Sequence, residues 1–259
     1  MNEAVEMAHT QGILTAASLM VTGPAMADAV ARARRLPALG VGLHIVLADG
    51  RPALPPAKIP SLVGPDGRFH ANMLRTAFTI ALWPAARAQM RAEVAAQFAA
   101  FAATGLVLDH ANAHKHFHLH PMIASAMVDA GRAHGLPAMR VPQEAASPWP
   151  MRWWAARLAR RLRRAGLCVN DHTYGLGASG AFDTPRMLAA LATPKPGITE
   201  IYCHPATAKS YPGSAPGYRY QDELTALIAP QVRTAMEACG AMASSFARCL
   251  PPPSPGLAA

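Results

Sequence analysis

Long apolar runs, a cysteine framework and a glycine-rich nucleotide loop are all missing from this sequence, and each gap removes a class of protein. The longest apolar stretches are broken by Arg or Pro well before the ~20 residues a bilayer span requires. Cys168, Cys203, Cys239 and Cys249 show no CxxC spacing, which fits reduced thiols in a cytoplasmic protein and argues against zinc held by thiolates. The apolar segment Ile13 to Val21 follows Glu3 and Glu6 rather than Lys or Arg, so it makes a poor signal peptide. No Gly/Ser linker, repeat or heptad run divides the chain. With 259 residues, 51% of them hydrophobic, a full core can be buried in one α/β domain. That domain is expected over residues 1–250, with the Pro-rich tail 251–259 disordered.

Acidic residues are scarce beside basic ones, 15 against 24, for a formal charge of +9. Six arginines, Arg152, Arg157, Arg160, Arg161, Arg163 and Arg164, fall in one segment. On a helical wheel Trp154, Ala155, Leu158, Leu162 and Ala165 share one face and most arginines avoid it. The segment reads first as a surface helix packed on the core. Its functional reading is contact of residues 152–164 with anionic lipid headgroups at the inner face of the membrane. Nucleic acid is not expected as a partner, because no recognised motif or aromatic platform accompanies the charge.

Against these absences stands a comb of histidines. In Asn112-Ala113-His114-Lys115-His116-Phe117-His118-Leu119-His120, spacing by two puts every imidazole on one side of an extended backbone. The segment Gly105 to Asp109 reads as a buried strand leading in, and Pro121 opens a helix just after. Neutral imidazole is a common zinc ligand, and a catalytic site takes about three protein ligands. One or two ligands are expected from the comb.

Strands are expected at Ile13 to Val21, Gly40 to Leu47, Ala138 to Val141, Thr199 to Cys203 and Ala241 to Phe246. Helices are expected at Asn2 to Gln11, Ala25 to Arg35, Ala85 to Ala103, Pro121 to His134, Thr184 to Ala192 and Asp222 to Cys239, with Asn170 to Gly175 a loop. The alternation argues for a parallel sheet of the (β/α) barrel kind; an open doubly wound sheet is the alternative. His44, in Val41 to Leu47, and His204, after Ile201-Tyr202-Cys203, stand at strand ends, where a buried histidine needs a partner. With His114 they come from three separate strands able to converge on one rim. Arg140, in Met139-Arg140-Val141-Pro142, adds a cation at a fourth.

Taken in order, Gly42-Leu43-His44, the comb, Met139-Arg140-Val141-Pro142 and Glu200-Ile201-Tyr202-Cys203-His204-Pro205 resemble the YdjC-like carbohydrate deacetylases over nearly the whole chain. Asn112 to His118, Gly12 to Thr15 with Ser18 to Val21, and Asp171 to Gly175 look most like the branch associated with hopanoid biosynthesis. The resemblance implies a (β/α) barrel that removes an acetyl group from an N-acetylated sugar, using one divalent metal, Zn or Mg. It implies metal ligation by His44 and His114, His204 as general acid to the leaving amine, and Arg140 and His118 as orienting or substrate groups. The family's third ligand is an aspartate of an Asp-Asp-Phe-Gly motif on the first strand, and no such motif occurs here. Since the match starts at Asn2-Glu3-Ala4, that strand is expected upstream of Met1, so the barrel would lack its first strand. Asp109 and Asp171 are the only nearby carboxylates, and neither occupies the expected strand.

Two functions therefore compete. One is a metal-dependent deacetylase acting on an N-acetylglucosaminyl group of a hopanoid lipid; the other is a non-catalytic sugar- or lipid-binding remnant, since two histidines alone bind metal weakly.

Overall fold

In the computed structural model, residues 1–249 are described, and the expected disordered tail 251–259 lies outside them. The chain runs α1 (Asn2–Gln11), β1 (Ala16–Leu19), α2 (Met26–Ala33), β2 (Gly40–Ile45), α3 (Met73–Leu82), α4 (Pro84–Ala102), β3 (Leu108–Ala113), α5 (Pro121–Ala133) and α6 (Trp149–Arg164). It continues through β4 (His172–Tyr174), α7 (Thr184–Ala192), β5 (Thr199–Ile201), α8 (Tyr220–Ile228) and α9 (Pro230–Ala238). Parallel pairing runs β1-β2-β3 and β4-β5. Single parallel bridges, Ala111 to Met139 and Ala138 to Cys168, continue the wall from β3 to the segment that precedes β4. Neighbouring parallel strands that follow chain order, with helices between them, form a barrel-like α/β wall.

Alternation decides what each strand presents. Val41, Leu43 and Ile45 of β2 are buried in the core, which leaves Gly42 and His44 on the opposite face. In register, His44 sits beside Asn112 of β3. Gly42 is required there, because a Cβ would lie 2.4 Å from the His110 imidazole. The larger core packs these strands on α2 to α6 through Phe98, Met90, Ile123, Met127 and Leu162. A second cluster joins α1, α7, α8 and α9 through Met187, Leu224 and Val232.

Several expectations give way to local physics. The strand before the comb starts at Leu108 rather than Gly105, and Val107 is exposed. The comb is not extended: β3 ends at Ala113, and His114–Leu119 coils into 3-10 turns with Lys115 and His116 at φ 51° and 54°. Asn170 to Gly175, expected as a loop, contains β4. The helix expected over Asp222 to Cys239 breaks at Pro230, which has no N–H to continue the ladder. Ala241 to Phe246 forms no strand; the Phe246 and Ala247 N–H groups donate instead to the Asp109 carboxylate. Helix α3 was not expected, because its outward side chains are apolar and blur the period.

Candidate active site

The left-handed pair Lys115 and His116 turns the chain at the end of β3, so the comb's imidazoles spread instead of stacking along one line. His114 faces His44, ring centroids 5.7 Å apart and edge to face. His116 lies 5.4 Å from the Tyr202 ring. His118 is fully buried and bonds the Arg140 carbonyl oxygen through Nε2 at 2.9 Å. His120 turns away to cap α5, its Nδ1 accepting from the Met122 N–H at 3.3 Å.

Behind His44 runs a chain of four polar contacts. His44 Nδ1 meets Asn112 Oδ1 at 2.5 Å, Asn112 Nδ2 donates to Ser18 Oγ at 2.8 Å, Ser18 Oγ meets His110 Nε2 at 2.9 Å, and His110 Nδ1 meets Asp109 Oδ2 at 2.9 Å. Burial alone would raise the Asp109 carboxyl, but hydrogen bonds from His110, Ser245 and Ala247 outweigh it and hold it below its ordinary value. A charged Asp109 therefore accepts from His110 Nδ1–H. With a neutral His110 the remaining donors follow in one direction, ending with His44 giving its Nδ1–H to Asn112. The lone pair of His44 is then on Nε2, the nitrogen left for a ligand.

Burial pushes His44 well below the ordinary histidine value, and it lowers His114, aided by the Lys115 charge. Both rings are thus neutral, as metal ligands must be. This donor pair fits an imidazole-binding divalent ion. Among the described residues, no group of three His, Cys, Asp or Glu side chains comes together to hold one. Asp109 is engaged by His110 and backbone, and Asp171 by Arg163 and the Ile198 N–H. A third carboxylate, Asp49, lies closer to the comb than expected and pairs with Lys115.

A second group of side chains gathers around Arg140. Its guanidinium is buried and gripped by Glu200, with Nε 2.8 Å from both carboxylate oxygens, and it stacks 4.8 Å over the Tyr202 ring. The Tyr202 hydroxyl bonds His204 Nε2 at 2.7 Å. Burial, reinforced by the Arg140 charge, lowers His116 and His204 to about 4; burial, then the His116 charge, takes His118 to about 3. Burial pushes the Tyr202 phenol up to about 12. The Nδ1 atoms of His116, His118 and His204 are buried without a hydrogen-bond partner. His116, two residues beyond His114, lies against Tyr202, which also meets Arg140 and His204, so the two groups form one neighbourhood.

His44, His114, His118, Arg140 and His204 are thus brought together. Sequence reasoning missed Ser18, His110, Glu200 and Tyr202. The signal for the last two was present, since Glu200, Tyr202 and His204 alternate as residues on one side of an extended segment do. An open concavity of about 870 Å³ lies elsewhere, lined by Pro56, His70, Arg75 and Trp83 among others. It shares no residue with the histidine group, and the imidazoles rather than the volume mark the site.

Residues 1–238 match the protein family described as YdjC-like protein. The chain is 31% identical over 232 residues to a carbohydrate deacetylase of Geobacillus stearothermophilus, covering 88% of this chain and 84% of that one. It is 34% identical to a carbohydrate deacetylase of Brevibacillus brevis over 136 residues, so that match spans about half the length of each, 52%. A crystal structure from Enterococcus faecalis V583, put forward as a cellobiose-phosphate cleavage protein, superposes with a TM-score of 0.77 over 95% of this chain and 91% of its own, at 23% identity. At that identity the superposition speaks for the fold alone.

Proposed function

The chain belongs to the YdjC-like protein family, and we propose that it is a carbohydrate deacetylase that hydrolyses the acetamide of an N-acetylated sugar with the help of one divalent metal ion, Zn or Mg. The observation that carries this reading is the His44–His114 pair, neutral and with His44 held in one tautomer by Asn112. His44 and His114 would hold the ion, which when bound polarises the acetyl carbonyl and activates water. Relatives named carbohydrate deacetylase support the reaction class. The N-acetylglucosaminyl group of a hopanoid lipid is the substrate we favour, from the likeness of the comb and of Asp171 to Gly175 to that branch.

His204 handles the proton. At a value of about 4 it is neutral at rest, so it first accepts a proton as water adds to the carbonyl. It then gives that proton to the amine nitrogen as the C–N bond breaks, leaving acetate and a free amine. The Tyr202 oxygen accepts from His204 Nε2–H, which holds the ring and leaves the lone pair on the unpartnered Nδ1 to take and return the proton. Arg140, fixed by Glu200 on one side and by the His118 contact to its carbonyl on the other, orients the sugar.

Acetate release from N-acetylglucosamine oligomers and glycolipids, measured with added Zn or Mg, tests the proposal. Loss of about 10²-fold or more is expected for His204→Ala and for His114→Ala. The binding-only reading draws on one observation, the absence of a three-residue metal group among the described residues. Calorimetry decides between them: sugar binding without metal uptake or acetate release favours the second reading.

A further inference from the structure

Helix α3 carries two apolar faces. Thr76 and Ile80 are buried, yet on the opposite side Leu74, Phe78 and Leu82, spaced by four, are 72%, 62% and 65% exposed, and Trp83 follows at 56%. A surface helix normally turns polar residues to water. Helix α6 repeats the anomaly at its start, where Trp149 and Trp153 are 76% and 50% exposed.

The two helices are neighbours of the same turn. The His120 side chain lies beside the backbone of Ala77 in α3. Trp154 Nε1 in α6 donates to the Leu119 carbonyl at 2.7 Å, and Arg161 reaches the Pro121 carbonyl at 3.1 Å. Both helices therefore pack beside Leu119 to Pro121, where the histidine turn ends.

Charge selects what covers them. From Gly67 to Ala92 the chain has Arg68, Arg75, Arg87 and Arg91 and no acid; from Ala145 to Asn170 it has six arginines and no acid. Arg157 lies 4.9 Å over the Trp153 ring, which joins cation to aromatic in one patch. A second copy of this face would set arginines against arginines. A surface of anionic headgroups over hydrocarbon complements both properties at once.

We infer that α3 and the first turns of α6 form a two-helix docking surface for an anionic lipid bilayer. The inference stands apart from the deacetylase reading, because vesicle binding is read without any hydrolysis.

The full chain is mixed with vesicles of phosphatidylcholine alone and of phosphatidylcholine with phosphatidylglycerol, and followed by co-sedimentation and tryptophan fluorescence. Binding with a blue shift is expected only for the anionic vesicles. Phe78→Ser with Leu82→Ser, and separately Arg157→Glu with Arg160→Glu, should each weaken it by about tenfold or more. Both pairs sit at the surface, so melting curves should change little. Three results would overturn the inference: no preference for anionic vesicles, binding unchanged by the α3 pair, or a dimer in solution that the α3 pair splits into monomers.

Discussion

At the scale of single residues, Ser18 Oγ supports the proposed ligand His44 from behind. It is the one hydroxyl in the chain from His44 to Asp109, accepting from Asn112 and donating to His110. Removing it leaves the Asn112 amide without its acceptor and frees the side chain to flip, and the His44 Nδ1–H then has no fixed partner. Ser18→Ala is expected to fold normally but to give His44 a mixed tautomer in ¹⁵N NMR. Its zinc affinity should drop by roughly 10- to 100-fold, the range seen when groups behind a ligand are lost. A single Nδ1–H tautomer in the variant, with unchanged affinity, would show that Asn112 needs no support. None of this was legible from spacing: Ser18 and His110 lie 92 positions apart, and only the parallel register of β1, β2 and β3 brings them together. His44, His114 and His204 were legible because a histidine in an apolar strand end stands out locally.

Among the elements, the turn at Lys115 and His116 decides where the imidazoles go. Helices with clear amphipathic period were readable within a residue or two, as α1, α5 and α7 are. The comb was misread as extended, because the spacing by two is the same whether or not the backbone coils, and nothing in the residue types announces a left-handed bend. Both residues occupy a conformation that disfavours a Cβ, at roughly 1–2 kcal/mol each. Lys115 is the better place to test it, since its side chain is exposed and its ion pair with Asp49 is a surface one, worth little. Lys115→Gly should hold or raise the denaturation midpoint, whereas Lys115→Val should lower stability by about 1–2 kcal/mol, because a β-branched side chain fits φ near 51° poorly. A neutral Val substitution would mean that the strand runs on through the comb.

Across the whole molecule, the buried neutral imidazoles tie stability to acidity. His118 is fully buried with one nitrogen unpartnered, and it titrates near 3 in the fold against about 6.5 in the unfolded chain. Between those values the unfolded chain holds a proton that the folded one refuses, so stability is complete above about pH 6.5 and falls as pH drops. Between pH 7 and 5 this one residue accounts for about 2 kcal/mol by linkage, or roughly 4–8 °C in Tm at this chain length. His116 and His204, both near 4, act in the same direction. A formal charge of +9 only adds self-repulsion as carboxylates protonate. Thermal melts at pH 7, 6 and 5 should therefore step downward. His118→Gln, though less stable at pH 7, should flatten the profile, because its side chain has nothing to protonate. If the wild-type melting temperature held level to pH 5, His118 would have to be charged inside the fold, with its unpartnered Nδ1 reaching an acceptor. The Arg140 carbonyl it grips would then be fixed by a cation rather than by a neutral ring, and the added positive charge would disfavour protonation of the neighbouring imidazoles still further.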